Sequence, residues 1–125
     1  MNTFVKTINP AFLSIEFLRS LNGIIGLTPK ELEVFAKILD IHIGLVKSKK
    51  TKVPIDNSTT RKIVMRETNT SKENLSKYMK GFKLKGLIEG RGKETQLNRA
   101  LIPIVIGGKT VQVTMILKIK ENDVQ

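Results

Sequence analysis

Seven side chains that donate hydrogen bonds or carry positive charge crowd one short span of the chain: Ser71, Lys72, Asn74, Ser76, Lys77, Lys80 and Lys83. Such groups suit anionic oxygens and the edges of bases, because lysine reaches guanine acceptors or phosphates and asparagine can make two hydrogen bonds to adenine. They are not the tools of bond-making, which needs a nucleophile beside a base, paired carboxylates or a metal cage. The acidic residues are few and scattered, His42 is the single histidine, and there is no cysteine. A lone histidine in an apolar helix is expected to be partly buried or at an edge, with nothing to complete a metal site. Gly108-Lys109-Thr110 echoes the end of a phosphate-binding loop, but Pro103 stands where that motif needs its first glycine and a strand pattern follows instead of a helix. Neither enzymatic activity nor a cofactor is expected.

The polar span needs an element to hold it, and its own spacing supplies one. Leu75, Tyr78, Met79 and Phe82 recur at i, i+3, i+4 and i+7, so one helical face is apolar and the opposite face carries the donors. Thr70 with Glu73 forms a capping-box pattern at the start, and Gly86 before Leu87-Ile88 can end the helix in a left-handed conformation and open an extended segment. Upstream, any of Asp56, Asn57 and Ser58 can cap a helix from about Thr59 to Glu67 that buries Ile63 and Val64 and exposes Arg61, Lys62 and Arg66. The polar turn Thr68-Asn69-Thr70 joins the two helices.

Around this pair the chain organises as one domain of 125 residues with 40% hydrophobic content. Residues 1–27 form an N-terminal extension, with a weak period-two pattern from Thr3 to Ile8 and a helix from Pro10 to about Leu21. Phe12, Ile15, Phe17, Leu18 and Leu21 make its apolar stripe wide, either to pack in the core or to meet a second copy. Residues 28–96 hold the helical core. There Thr28-Pro29-Lys30-Glu31 is the clearest helix start, an N-cap threonine, proline at the first helical position and glutamate at the third, opening a scaffold helix to about Lys47. Lys47-Ser48-Lys49-Lys50-Thr51-Lys52 has no periodicity and reads as a loop, either a phosphate-contacting arm, a localisation signal or a solvated run. Val53-Pro54-Ile55 has the pattern of a short edge strand. Glu89-Gly90-Arg91-Gly92-Lys93 suits a tight loop. Residues 97–120 read as a β-hairpin turning at Gly107-Gly108-Lys109, with Val111, Val113, Met115, Leu117 and Ile119 alternating against polar neighbours.

The helix pair resembles the helix-turn-helix of winged-helix regulators of the multiple-antibiotic-resistance type, whose second helix repeats apolar, two polar, two apolar, two polar, apolar, then three residues to Gly-Leu-Ile. Leu75, Tyr78, Met79, Phe82 and Gly86-Leu87-Ile88 occupy those places, and the likeness runs from residue 28 to about 120. It implies an α+β winged helix-turn-helix of three to four helices with a C-terminal β-hairpin wing or sheet. A looser likeness, Asn98-Arg99-Ala100-Leu101, is to small winged-helix plasmid replication initiators.

Charge points the same way. The net charge is +11, and residues 47–93 hold 14 of the 22 basic residues against 4 of the 11 acidic ones, a local balance of +10. The expected partner is double-stranded DNA. Ser71, Lys72, Asn74 and Ser76 would face the major groove, Thr59, Thr60, Arg61 and Lys62 the backbone, Lys49 and Lys50 the phosphates and Arg91 the minor groove, with Lys77, Lys80 and Lys93 also among the DNA-binding residues. A transcriptional regulator is the leading expectation. A plasmid or phage replication-initiation module and a phage assembly component are the alternatives. A homodimer is expected through the 11–21 helix or the terminal strand, since paired recognition helices serve paired half-sites. No small-molecule ligand is evident. Met1–Pro10 lacks a signal-peptide pattern and no apolar run reaches membrane-spanning length, so the expected setting is the cytoplasm of a bacterial cell or phage-infected host, or a virion.

Overall fold

In a computed structural model that describes residues 4–47 and 55–121, the Glu31 N–H donates to the Thr28 hydroxyl (3.2 Å) and the Thr28 N–H donates to the Glu31 carboxylate (2.9 Å). This reciprocal box satisfies two backbone donors that a first turn otherwise leaves unpaired. It opens helix α2 (Pro29–Lys47), which packs against both α1 (Leu13–Ile25) and α3 (Ser58–Thr68) and so is the scaffold helix that its sequence promised. Helix α4 (Lys72–Leu84) follows α3, and two small antiparallel hairpins complete an α+β fold: β1 (Ile88–Glu89) with β2 (Gln96–Leu97), and β3 (Val105–Ile106) with β4 (Thr110–Val111).

One core gathers the apolar faces. Phe17, Leu18 and Leu21 of α1 meet Leu32, Phe35 and Leu39 of α2, with Val64 of α3 and Leu75, Met79 and Phe82 of α4 in the same cluster. Each such side chain contributes roughly 1.5–3 kcal/mol on burial. Core packing therefore accounts for most of the wide α1 stripe, Phe17 included. Only Phe12, in the 3-10 turn Pro10–Phe12 ahead of α1, is left 57% exposed.

Helix α1 runs past Leu21 and through Gly23 to Ile25, because the left-handed break falls at Gly26 (φ +70°). The Asn22 side chain holds that break by accepting from the Leu27 N–H (2.9 Å) and donating to the Leu27 carbonyl (3.0 Å). Residues 4–9 form no strand; Lys6 instead pairs with Glu16 of α1 (2.6 Å). Thr3 lies outside the described residues, as do Val53 and Pro54 of the expected edge strand, whose Ile55 sits in a bend with its side chain buried.

The largest departure is at the C-terminus. The expected strand over 97–106 divides into β2, a 3-10 turn at Arg99–Leu101 capped by the Asn98 side chain, which accepts from the Ala100 N–H, and β3. The turn at Gly107-Gly108 forms as expected, with both residues at positive φ (+62° and +69°), but the ladder is two pairs long, Val105 with Val111 and Ile106 with Thr110. Residues 112–121 join no ladder and are exposed. Alternation fits a strand for burial on one face; it does not provide a neighbour for its backbone groups, and a lone hairpin is marginal in water.

His42 lies on α2 with Nδ1 buried and without a hydrogen-bond partner among the described residues. Burial lowers its pKa below the usual imidazole value. The unfolded chain then binds a proton that the fold resists, so stability is full above the ordinary histidine pKa of about 6.5 and falls as pH drops through it. Urea midpoints should decline between pH 7.5 and 5.5, and His42→Leu should flatten that decline. An equal decline in both proteins would place the acid sensitivity elsewhere.

Candidate nucleic-acid interface

Asn57 caps α3 by accepting from the Thr60 N–H (2.8 Å), and α3 ends at Asn69, whose φ of +50° is the one positive value at a non-glycine among the described residues. Asparagine tolerates this region better than most residues. The Thr68 hydroxyl donates to the Val64 carbonyl (2.6 Å) and pairs with the Thr70 hydroxyl (2.7 Å), so the turn is closed by two buried threonines. Lys30 reaches across from α2 to the Thr68 carbonyl, placing a cation at the negative end of α3.

Because Thr70 is engaged there, the cap of α4 falls one residue later than the capping-box pattern indicated. Ser71 accepts from the Asn74 N–H (3.2 Å), and Glu73 lies in the first turn. The other end follows the sequence closely: Leu87 N–H donates to the Phe82 carbonyl (2.9 Å) and Gly86 N–H to the Lys83 carbonyl (3.0 Å), a Schellman motif with Gly86 at φ +75°. Leu75, Met79 and Phe82 are buried and Tyr78 is half-buried.

Lys72, Asn74, Ser76, Lys77, Lys80 and Lys83 are all exposed on α4, as are Ser71 ahead of it and Thr59 and Lys62 on α3. At about 100° per residue, Lys72 and Asn74 stand roughly 200° apart measured across the exposed face, with Glu73, Lys77 and Lys80 between them. The centre of the exposed face thus holds Lys77 and Lys80 on either side of Glu73, with Lys72 and Asn74 on opposite flanks. Two expected contacts on α3 change. Thr60 is buried (4% exposed), since it lies one turn before Val64 and two before Thr68 on the inward stripe, and cannot meet a DNA backbone. Arg61 is half-buried and paired with Asp56 (Nε–Oδ1 2.6 Å, Nη2–Oδ2 3.3 Å), while its Nη1 donates to Ser76 on α4 (3.3 Å). It fastens α3 to α4 instead of standing free. Sequence reasoning treated Asp56 only as a cap candidate; an acid and a base five residues apart across a helix start was the available signal.

Lys85 also has a structural task, donating to the carbonyls of Ile25 (3.3 Å) and Gly26 (2.9 Å) at the end of α1. Lys49 and Lys50 lie outside the described residues, and nothing is placed for the Lys93 side chain.

Arg91 is exposed in the loop from β1 to β2, whose register pairs Ile88 with Leu97 and Glu89 with Gln96. Gly90 (φ +94°) makes this loop possible: a Cβ there would lie 2.3 Å from the Glu94 carbonyl oxygen. Asn98 closes the base by donating from its side chain to the Gly86 carbonyl (3.0 Å) and from its backbone to the Leu87 carbonyl (2.9 Å). Gly90→Ala should therefore cost at least about 1–2 kcal/mol from backbone strain, with the clash in addition. Gly92→Ala, where φ is +52° and no atom lies within 4 Å of the added Cβ, should cost less. Denaturant unfolding of both variants gives the order, and the reverse order would contradict this loop geometry.

Among the described residues no three or more His, Asp or Glu side chains group to hold a metal ion, and no helix is long and apolar enough to cross a membrane. No family model matches the chain, and no curated protein and no solved structure matches it.

Proposed function

We propose that the chain is a winged helix-turn-helix protein that binds double-stranded DNA, with α4 as its recognition helix and the β1–β2 hairpin as its wing. One observation carries this reading: the exposed face of α4 presents Lys72, Lys77, Lys80 and Lys83, while its other face is pinned into the core by Leu75, Met79 and Phe82. A helix of this width fits the major groove. Lys77 and Lys80 face the groove, Asn74 and Lys72 reach to either side, Thr59 and Lys62 approach the backbone, and Arg91 tips the wing toward the minor groove. Lysines dominate the set, so most contacts go to phosphates and the sequence preference is modest.

Transcriptional regulation is the use this small domain fits best. The Asn98-Arg99-Ala100-Leu101 stretch, which prompted the replication alternative, has a task of its own: Asn98 latches the hairpin base and Leu101 is buried. That task is structural and serves either use.

Selection of bound duplexes from a random pool, followed by titration of the selected duplex at several salt concentrations, tests the proposal. Enrichment of a motif is expected, with log K falling against log salt by about 0.9 for each phosphate contact. Salt-sensitive binding without any motif would reduce the role to nonspecific DNA coating, and no binding would overturn the proposal in favour of protein assembly.

A further inference from the structure

The C-terminal segment presents eight large exposed apolar side chains between residues 104 and 119, among them Ile116 (77%), Leu117 (79%) and Ile119 (95%). Single exposed apolar residues are ordinary, but a run of this kind marks an interaction surface. Three features indicate what covers it. The β3–β4 sheet has two strands, so the outer edge of β4 is unpaired within it. Residues 110–120 carry two charges, Lys118 and Lys120, both near one end, so an antiparallel copy can set each lysine against the neutral end of the other strand. Finally, the alternation is self-complementary.

We propose that residues 110–120 pair antiparallel with the same residues of a second copy about a two-fold axis through Met115. In that register Val111 opposes Ile119, Val113 opposes Leu117 and Met115 opposes itself, all on one face. On the other face Thr114 opposes Ile116, Gln112 opposes Lys118 and Thr110 opposes Lys120. Parallel in-register pairing would instead set Lys118 beside Lys118 and Lys120 beside Lys120, a destabilising arrangement. The isologous contact extends each two-strand hairpin into a four-stranded sheet shared by both copies. Val111 is half-buried against its own core, so its opposition to Ile119 carries the exposed tail of each copy onto the core margin of the other. Five of the eight, Val113, Met115, Ile116, Leu117 and Ile119, lie in the paired segment, and covering roughly 60–120 Å² on each would remove about 600–1,200 Å² over the two copies, reaching the lower end of a stable interface.

The absence of cysteine gives a clean test, independent of DNA binding. Sedimentation of the full chain at micromolar concentration without DNA should show a dimer. Met115→Cys should cross-link to near completion under mild oxidation, because directly opposed residues of an antiparallel pair have Cα atoms about 4.5–5.5 Å apart, within disulfide range. Ile119→Cys should not, since eight residues of strand at about 3.4 Å each set the two positions roughly 27 Å apart. Leu117→Lys, exposed in the single chain, should leave the circular dichroism unchanged and shift sedimentation to monomer. A monomeric wild-type chain would overturn the proposal and leave the surface to a different protein or to the chain's own Phe4-Val5 segment. Cross-linking at residue 119 equal to that at 115, or a dimer that survives Leu117→Lys, would overturn it too.

Discussion

Reversing the charge of Lys77 and Lys80 together, by Lys77→Glu and Lys80→Glu, should lower duplex affinity on the order of a hundredfold at physiological salt, about 1.4 kcal/mol for each position. Both side chains are exposed at the centre of the outward face of α4, and neither takes part in a hydrogen bond or ion pair with the rest of the chain among the described contacts. The fold should therefore be untouched, with urea midpoints close to wild type. The affinity loss has two sources: the counterions these lysines release on binding, and the new repulsion between carboxylate and phosphate. A second pair, Arg99→Glu and Lys109→Glu, changes the net charge equally from exposed positions outside the basic segment and should cost much less. Equal losses from the two pairs would mean that overall charge, and not α4, brings DNA to the protein.

The features legible in the sequence are those decided by neighbours within a few residues. The Thr28–Glu31 box, the apolar stripe of α4, the stop at Gly86 and the Gly107-Gly108 turn each depend on spacing and backbone freedom alone, and each forms. What was not legible depended on competition or distance. Thr70 is as good a cap as Ser71 by type, yet its hydroxyl is taken by Thr68, so the helix starts one residue later. Thr60 carries a residue type suited to the DNA backbone, but the four-residue spacing of Thr60, Val64 and Thr68 turns it inward; counting that stripe instead of centring on Ile63-Val64 would have found it. Lys85 finds its acceptors about 60 residues away in sequence, which no local pattern announces. The terminal strand failed for a related reason: its alternation describes what it can pack against, while the partner strand has to come from elsewhere.

The second large effect is on stability and falls where the candidate reading surface meets the scaffold. Phe82 is fully buried, and its ring meets Phe35 of α2 edge to face, centroids 5.1 Å apart at 80°. Its carbonyl also accepts the Leu87 N–H that ends α4, so one residue sets both the seat and the length of that helix. Phe82→Ala should cost about 3–5 kcal/mol, from lost transfer energy, the cavity left behind and the aromatic pair. Domains of this size have only about 5–15 kcal/mol in total. Phe82→Leu keeps most of the volume and should cost clearly less. Urea unfolding measures both, and DNA binding separates the causes: since Phe82 touches no DNA in the proposed complex, each variant should bind in proportion to its folded fraction. Phe82→Ala should then lose affinity on warming at temperatures where Phe82→Leu still binds. A cost near 1 kcal/mol for the alanine variant would show that α4 is not held by this contact, and a fully folded variant with weakened binding would show that the seat of α4 tunes its angle in the groove as well as its stability.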